Sequence, residues 1–164
     1  MPVIDAAGDV ERNVERLIRG CHILGIPILL TEQYPKGLGT TVAGLRRALD
    51  ESGGYRPIEK SCFSAHGCAG FEQELEAMQR TQILLCGVET HVCVYQTAMD
   101  LLRDEYDVTL IADAVSSRTP QNKVIAIERL TDAGVKLSST EMALFELLVA
   151  AGTDEFKAIS RLVK

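Results

Sequence analysis

This chain of 164 residues alternates short apolar stretches with amphipathic helical patterns, and that alternation restricts its fold more than any other feature. Residues 10–24 carry apolar side chains at helical spacing, and Gly25-Ile26-Pro27 ends the helix as a buried strand at 26–31 begins. Further strands are predicted at 55–61, 82–87, 108–112 and 134–138, loops at 32–39 and 113–119, and further helices at 41–49, 70–78, 90–103, 120–133, 140–150 and 156–163. Such alternation is typical of an α/β domain with a mostly parallel sheet.

Composition narrows the class of protein. No linker divides the chain, so residues 1–164 are expected to form a single domain. A formal charge of −6 argues against binding to nucleic acid or to acidic membranes, and the longest apolar runs are too short to cross a bilayer. Residues 1–5 lack the pattern of a secretory signal. The five cysteines are odd in number and lack a CxxC pair, which favours a reducing cytoplasm over a disulfide framework.

Metal and cofactor signatures are weak. His22, His66 and His91 are scattered along the chain, so a zinc site of the Cys/His type is not expected. No predicted strand is followed by the GxGxxG pattern of a dinucleotide-binding turn. We expect neither a metal nor a cofactor.

The segment 83–94 places a cysteine where chemistry is favoured. It is predicted as a buried strand that turns at Gly87 and enters a helix with Cys93 in its first turn. The positive end of a helix favours the thiolate, and the first turn leaves backbone N–H groups free to hold an oxyanion. The alternative is a buried, inert cysteine.

Three predicted loops lie at the carboxyl ends of strands, where α/β sheets bind ligands: residues 31–37, 59–64 and 87–93. Lys60 ends one strand, and its ammonium could approach the Cys93 thiol and steady developing negative charge. The alternative for Lys60 is a solvated surface lysine.

Several of these segments together resemble the isochorismatase-like cysteine hydrolases, a superfamily that includes the nicotinamidases. The segments are Thr31-Glu32-Gln33-Tyr34-Pro35 with Gly37 and Gly39, Lys60-Ser61 with Phe63-Ser64, Gly87 to Val94 with Gln96-Thr97, and Asp113-Ala114 with Ser116-Ser117-Arg118. The resemblance covers nearly the whole chain and is strongest to the isochorismatase-domain proteins whose substrates are poorly defined.

The resemblance implies a Rossmann-like three-layer αβα fold and a hydrolase acting on a small amide or related compound. Cys93 would be the nucleophile and Lys60 its cationic partner. Val88–Glu89 would match the family's cis peptide bond, and the amides of Glu89 and Cys93 would form the oxyanion hole. The family also forms oligomers, so a homo-oligomer is expected.

One part of the family pattern is absent. The family carries its general base, an aspartate, on a first central strand, and this sequence lacks that strand. Asp5 and Asp9 are better interpreted as N-cap or surface residues, and Asp113 as a structural residue that orients the loop through Arg118. The chain could be a fragment, residues 1–4 could form a distorted strand, or the sheet could close up or take a strand from a partner. We therefore expect impaired activity.

Two other functions fit the same residues. A catalytically inactive oligomeric or binding protein would keep the fold, and a redox-sensing thiol protein would use Cys93 differently. Gln33, Tyr34, Phe63 and Thr90 could line a pocket for a small-molecule substrate, although each could equally serve packing or turns.

Overall fold

The computed structural model describes Met1 and residues 3–164 of the chain. The strands are β1 (Leu30–Gln33), β2 (Pro57–Lys60), β3 (Gln82–Val88), β4 (Asp107–Ser116) and β5 (Lys136–Ser138). The helices are α1 (Ala7–Ile23), α2 (Pro35–Leu38), α3 (Ala43–Glu51), α4 (Ala69–Met78), α5 (Tyr95–Arg103), α6 (Pro120–Asp132), α7 (Thr140–Leu148) and α8 (Asp154–Leu162), and a π-helical turn (Thr90–Val94) precedes α5. Strands and helices alternate, which confirms the α/β class.

One sheet contains β3, β4 and β5 in that order, and both of its pairings are parallel. Helices cover both of its faces because successive residues of the central strand point to opposite sides. Leu110 packs in a cluster with side chains of α4, α5 and α6, whereas Ile111 packs with side chains of α1, α7 and α8. Both residues are fully buried. The core therefore lies on the two sides of β4.

The other sheet contains only β1 and β2, which pair in parallel from Leu30 opposite Pro57 to Gln33 opposite Lys60. One side of β1 packs on α1 and α3 through Leu30, Ile18 and Leu49. Because α1 also packs against β4, it spans from one sheet to the other.

No hydrogen-bonded strand joins β1 to β3 in the part of the chain that the structure describes. The stretch before α1 does not supply one: Met1, Val3 and Ile4 form a turn with Ile4 N–H donating to the Met1 carbonyl, and Pro2 lies outside the described residues. For the described part of that stretch, the alternative of a distorted strand at residues 1–4 is wrong. In the described residues, β1 and β3 each have an edge without a strand partner.

Several predicted bounds move. Leu30–Gln33 is the first strand, not 26–31, so Gln33 belongs to a strand and not to a loop. The fourth strand continues to Ser116, through residues predicted as a loop, because Val115 and Ser116 pair with Gly87 and Val88 after a shift in register. The helix predicted at 90–103 begins with the π-helical turn.

Candidate active site

The carboxyl ends of β1 and β2 bring Gln33 and Lys60 together. The parallel register places these residues side by side, and the Lys60 Nζ donates to Gln33 Oε1 at 2.6 Å. The same ammonium donates to the carbonyls of Cys62 at 3.1 Å and Phe63 at 2.7 Å in the loop after β2. Lys60 is only 7% exposed, so it is not the solvated surface lysine of the alternative interpretation.

The oxygen acceptors of Lys60 are all neutral. Among the described residues no carboxylate forms an ion pair with this ammonium. Burial lowers the pKa of Lys60 below the usual range for a lysine, and the neighbouring Cys93 works in the opposite direction through its charge and a hydrogen bond. The ammonium is thus held beside a thiol in a partly desolvated site.

Cys93 lies in the π-helical turn that follows β3. Its Sγ is 3.8 Å from Gln33 Oε1, so the thiol and the Lys60 ammonium share one acceptor. Cys93 is partly exposed and makes no disulfide. The structure therefore brings Cys93, Lys60 and Gln33 together from three separate segments of the sequence.

The backbone before Cys93 has an unusual conformation at Glu89. The Val88–Glu89 peptide bond is cis, at the position where the family resemblance implies one. The Glu89 carbonyl accepts from the N–H groups of Val92 at 3.1 Å and Val94 at 3.2 Å. Within the described residues, neither the Glu89 N–H nor the Cys93 N–H donates to a carbonyl outside the helical turn.

The Glu89 side chain is bound by Arg118. The Arg118 guanidinium donates to both carboxylate oxygens, at 3.0 and 2.6 Å, and the Arg118 N–H adds a third bond at 3.0 Å. These hydrogen bonds, led by that of the guanidinium, keep the pKa of Glu89 below its usual range. His91 Nδ1 lies 3.0 Å from Ser117 Oγ, so the turn is fastened to the end of β4 on this side.

The remaining candidate pocket residues differ in accessibility. Tyr34 is 57% exposed and Phe63 53% exposed, both on loops that border Lys60. Tyr34 has a φ of 42°, and its ring lies close to Gly37, where an added Cβ would meet it at 2.1 Å. Thr90 is completely buried, and its Oγ1 has no hydrogen-bond partner among the described residues.

The acidic candidates lie outside this site. Asp113 Oδ1 accepts hydrogen bonds from the N–H and the hydroxyl of Thr140. Asp113 is therefore a structural residue, but it holds the start of α7 and not the loop through Arg118. Asp9 pairs with Arg12 on the surface of α1. Asp5 is bound through its backbone, which accepts from Ser116 Oγ at 2.8 Å and donates to the Ser117 carbonyl at 3.0 Å.

Two cysteines form a bond that the sequence did not predict. Cys62 and Cys68 are joined by a disulfide across the loop that follows Lys60, so the expectation that the chain lacks disulfides is wrong for this pair. The available signal was their spacing of six residues in a segment rich in Ser and Gly. The odd number of cysteines argued against a disulfide framework, but it reflects one bonded pair and three free thiols: Cys21, Cys86 and Cys93.

The other two free thiols, Cys21 and Cys86, have raised pKa values. Burial raises the pKa of Cys21 to about 11. Burial, with a smaller contribution from Cys21, raises the pKa of Cys86 to about 12. Both thiols therefore stay protonated and slow to react near neutral pH.

Metal-binding and membrane features are absent from the part of the chain that the structure describes. Its His, Cys, Asp and Glu side chains form no group of three or more that could hold a metal ion. None of its helices is both long and apolar enough to cross a bilayer.

The fold is a parallel α/β fold, and the site places a cysteine in the first turn of a helix beside a buried lysine. These two features are those of a cysteine-hydrolase type of site. The chain belongs to the isochorismatase domain family, whose model matches residues 4–142. It is 40% identical over 157 residues to the secreted isochorismatase effector Isc1 of Phytophthora sojae, covering 94% of this chain and 74% of that protein. It is 38% identical to isochorismatase domain-containing protein 1 of Danio rerio, covering 99% of this chain and 56% of that protein.

Solved structures extend the similarity. A Caenorhabditis elegans structure named MAR1 ribonuclease superposes with a TM-score of 0.90 at 34% identity, covering 99% of this chain and 82% of that one. The Escherichia coli YcaC gene product, an octameric hydrolase of unknown specificity, gives 0.86 at 21% identity, covering 97% and 78%. The Bacillus subtilis nicotinamidase PncA gives 0.68 at 18% identity, covering 82% and 87%, and these last two show the fold alone.

Proposed function

We propose that this chain is a cysteine-dependent hydrolase that acts on a small amide or a related carbonyl compound. The observation that carries the proposal is the meeting of Cys93 with the buried Lys60 ammonium at one shared acceptor, Gln33 Oε1. A cation beside a thiol at the start of a helix favours the nucleophilic form of the sulfur. Membership of the isochorismatase family supports the same chemistry.

The proposed reaction is acyl transfer. Cys93 Sγ forms a bond to the substrate carbonyl carbon, and the oxygen gains negative charge as the carbon becomes tetrahedral. The N–H groups of Glu89 and Cys93 are the proposed donors to that oxygen. The carbon–nitrogen bond then breaks, the amine leaves with a proton, and water hydrolyses the thioester to an acid and the free thiol.

Proton transfer is the step for which the described residues of the site provide no evident base. In the described residues, no carboxylate contacts Lys60 or Cys93, whereas a thiol attack and a later water attack both need a base. In a Rossmann-like three-layer fold of this family, a central strand carrying an aspartate would lie between β1 and β3. We therefore infer weak hydrolysis by this chain.

Assembly and location are inferred separately from chemistry. We infer a homo-oligomer, supported by exposed apolar side chains on α6 and α7 such as Val124, Ile125 and Met142. A cytoplasmic location stays a prediction, and the Cys62–Cys68 disulfide is a bond that reducing compartments disfavour.

A second candidate is a binding protein that keeps the fold and has lost turnover. It is favoured because, among the described residues, no carboxylate that could serve as the base is hydrogen-bonded to Lys60 or Cys93. The redox-sensing alternative is less well supported at Cys93, because the disulfide pairs Cys62 with Cys68 and leaves Cys93 free.

The experiment is hydrolysis of a panel of small primary amides by the purified chain, with short RNA as a further substrate. We expect slow release of ammonia that Cys93→Ala abolishes and that Cys86→Ala, a matched thiol control, leaves unchanged. We also expect iodoacetamide to label Cys93 at least about tenfold faster than Cys21 or Cys86. Labelling without turnover would favour the binding protein, and RNA cleavage that survives Cys93→Ala would contradict the proposal.

A further inference from the structure

Gln33 has a defined orientation in the site. Its Oε1 accepts from the Lys60 ammonium at 2.6 Å, and its Nε2 donates to the Ser61 carbonyl at 2.8 Å. An ammonium can only donate and a carbonyl can only accept, so a single orientation of the amide satisfies both neighbours. The amide oxygen is therefore fixed toward Lys60.

Gln33 is also the acceptor of Lys60 that lies on the Cys93 side. The Lys60 ammonium has three oxygen acceptors, and two of these are loop carbonyls, at Cys62 and Phe63. Of these three acceptors, Gln33 also accepts a hydrogen bond from the Cys93 thiol, at 3.8 Å. Removing the Gln33 oxygen would take away the one oxygen acceptor that the Lys60 ammonium shares with the Cys93 thiol.

The neutrality of the amide matters as much as its position. A carboxylate at this place would accept the same hydrogen bond but would neutralise the ammonium and repel a thiolate. The Gln33 amide holds Lys60 without neutralising its charge. The charge of Lys60 therefore stays available to the sulfur.

We propose that Gln33 is a positioning residue that holds the Lys60 ammonium, still charged and uncompensated, against the Cys93 thiol. Gln33 acts through Lys60 and does not itself exchange a proton with substrate. This role deepens the proposed hydrolase function and rests on the same nucleophile, but it is tested by alkylation of the thiol and not by turnover.

The test is the rate of Cys93 alkylation by iodoacetamide near neutral pH, measured by mass spectrometry in four proteins: the unaltered chain, Gln33→Met, Lys60→Met and the double variant. Gln33→Met keeps the length of the side chain and removes both polar groups. We expect at least about a tenfold loss of rate in each single variant, since nearby charge shifts thiol ionisation on this scale. The double variant is expected to react as slowly as Lys60→Met and no slower, because Gln33 acts through Lys60.

Gln33→Glu separates position from charge in a nearly isosteric side chain, and it tests the proposal even if Gln33→Met fails to fold. It keeps an acceptor for Lys60 but compensates the ammonium, so Cys93 alkylation is expected to fall at least about tenfold. Circular dichroism and thermal unfolding check that each variant is folded. An unchanged or faster rate in folded Gln33→Glu, or multiplicative losses in the double variant, would overturn the proposal. Failure of amide turnover alone would leave it standing and would count against the hydrolase function only.

Discussion

Glu32 and Gln33 are adjacent in β1 and contact different parts of the protein, because successive side chains of a strand point to opposite faces. Gln33 points to Lys60 and Cys93, whereas Glu32 is 5% exposed and points to the other side. Glu32 Oε1 accepts from the Thr41 N–H and hydroxyl, both at 2.6 Å, and from the Tyr55 hydroxyl. The carboxylate of this pair thus fastens the strand, while the amide serves the thiol site.

Glu32→Gln is expected to destabilise the protein and change the pH dependence of its stability. Burial acts to raise the pKa of Glu32, but hydrogen bonds from Thr41 and Tyr55 outweigh it and lower the pKa. A lowered pKa in the folded state contributes stability above the unfolded value of about 4.3, and that contribution is lost as the pH falls through the folded pKa. At neutral pH the variant should lose about 1–3 kcal/mol of unfolding free energy in urea titrations.

The matched control is Glu59→Gln, since Glu59 pairs with Glu32 in the β1–β2 register and is exposed. It should change the unfolding free energy by less than about 0.5 kcal/mol. A Glu32→Gln deficit that stays constant from neutral pH to below about pH 4 would show that the carboxylate charge is not what stabilises the strand.

At the scale of elements, the sequence predicts types of structure better than their ends. The pattern of residues 82–87 is strongly apolar, and β3 lies there within one residue. By contrast, Asp113 to Ser116 are small or polar and look like a loop, yet they extend β4 because β3 supplies partners after a register shift. Local composition does not contain that long-range pairing.

The same limit applies to the site. Lys60 and Cys93 could be selected from their places after predicted strands, since strand ends gather at one edge of a parallel sheet. The role of Gln33 could not, because it depends on the residue-by-residue register of β1 on β2. The π-helical turn and the disulfide are likewise tertiary features with weak local signals.

The loop between β2 and α4 is expected to depend on its disulfide for stability. Cys62 and Cys68 close a short loop, and Cys68 directly precedes α4. A crosslink over so few residues contributes about 2 kcal/mol in the chain-entropy account. Adding dithiothreitol to the unaltered protein should therefore lower the unfolding free energy by about this amount in urea titrations.

The variant with both Cys62→Ser and Cys68→Ser is the control for that titration. It should start near the reduced value and show no further response to dithiothreitol. An equal loss on reduction in both proteins would place the effect of the reductant elsewhere, and no loss in the unaltered protein would mean that the bond contributes nothing to stability.

At the scale of the whole molecule, the sheet is divided in two. Helix α1 packs against both β1 and β4, so the two sheets share a covering layer although no described strand connects them by hydrogen bonds. The central strand β4 is paired on both sides, whereas among the described strands β3 is paired only with β4. Unpaired edges attract other strands, so this division bears on both dynamics and association.

Amide hydrogen exchange should show the division directly. In a parallel sheet alternate N–H groups of a strand point to opposite neighbours. About half of the β3 amides from Gln82 to Val88 therefore have no strand acceptor in the described part of the chain. These alternate β3 amides are expected to exchange at least about a hundredfold faster than those of residues 108–111 in β4. Measurement by NMR at several protein concentrations distinguishes two causes of any protection. Uniform protection that grows with concentration would mean that a second copy pairs with the open edges, and uniform protection at every concentration would contradict the unpaired edges of β3.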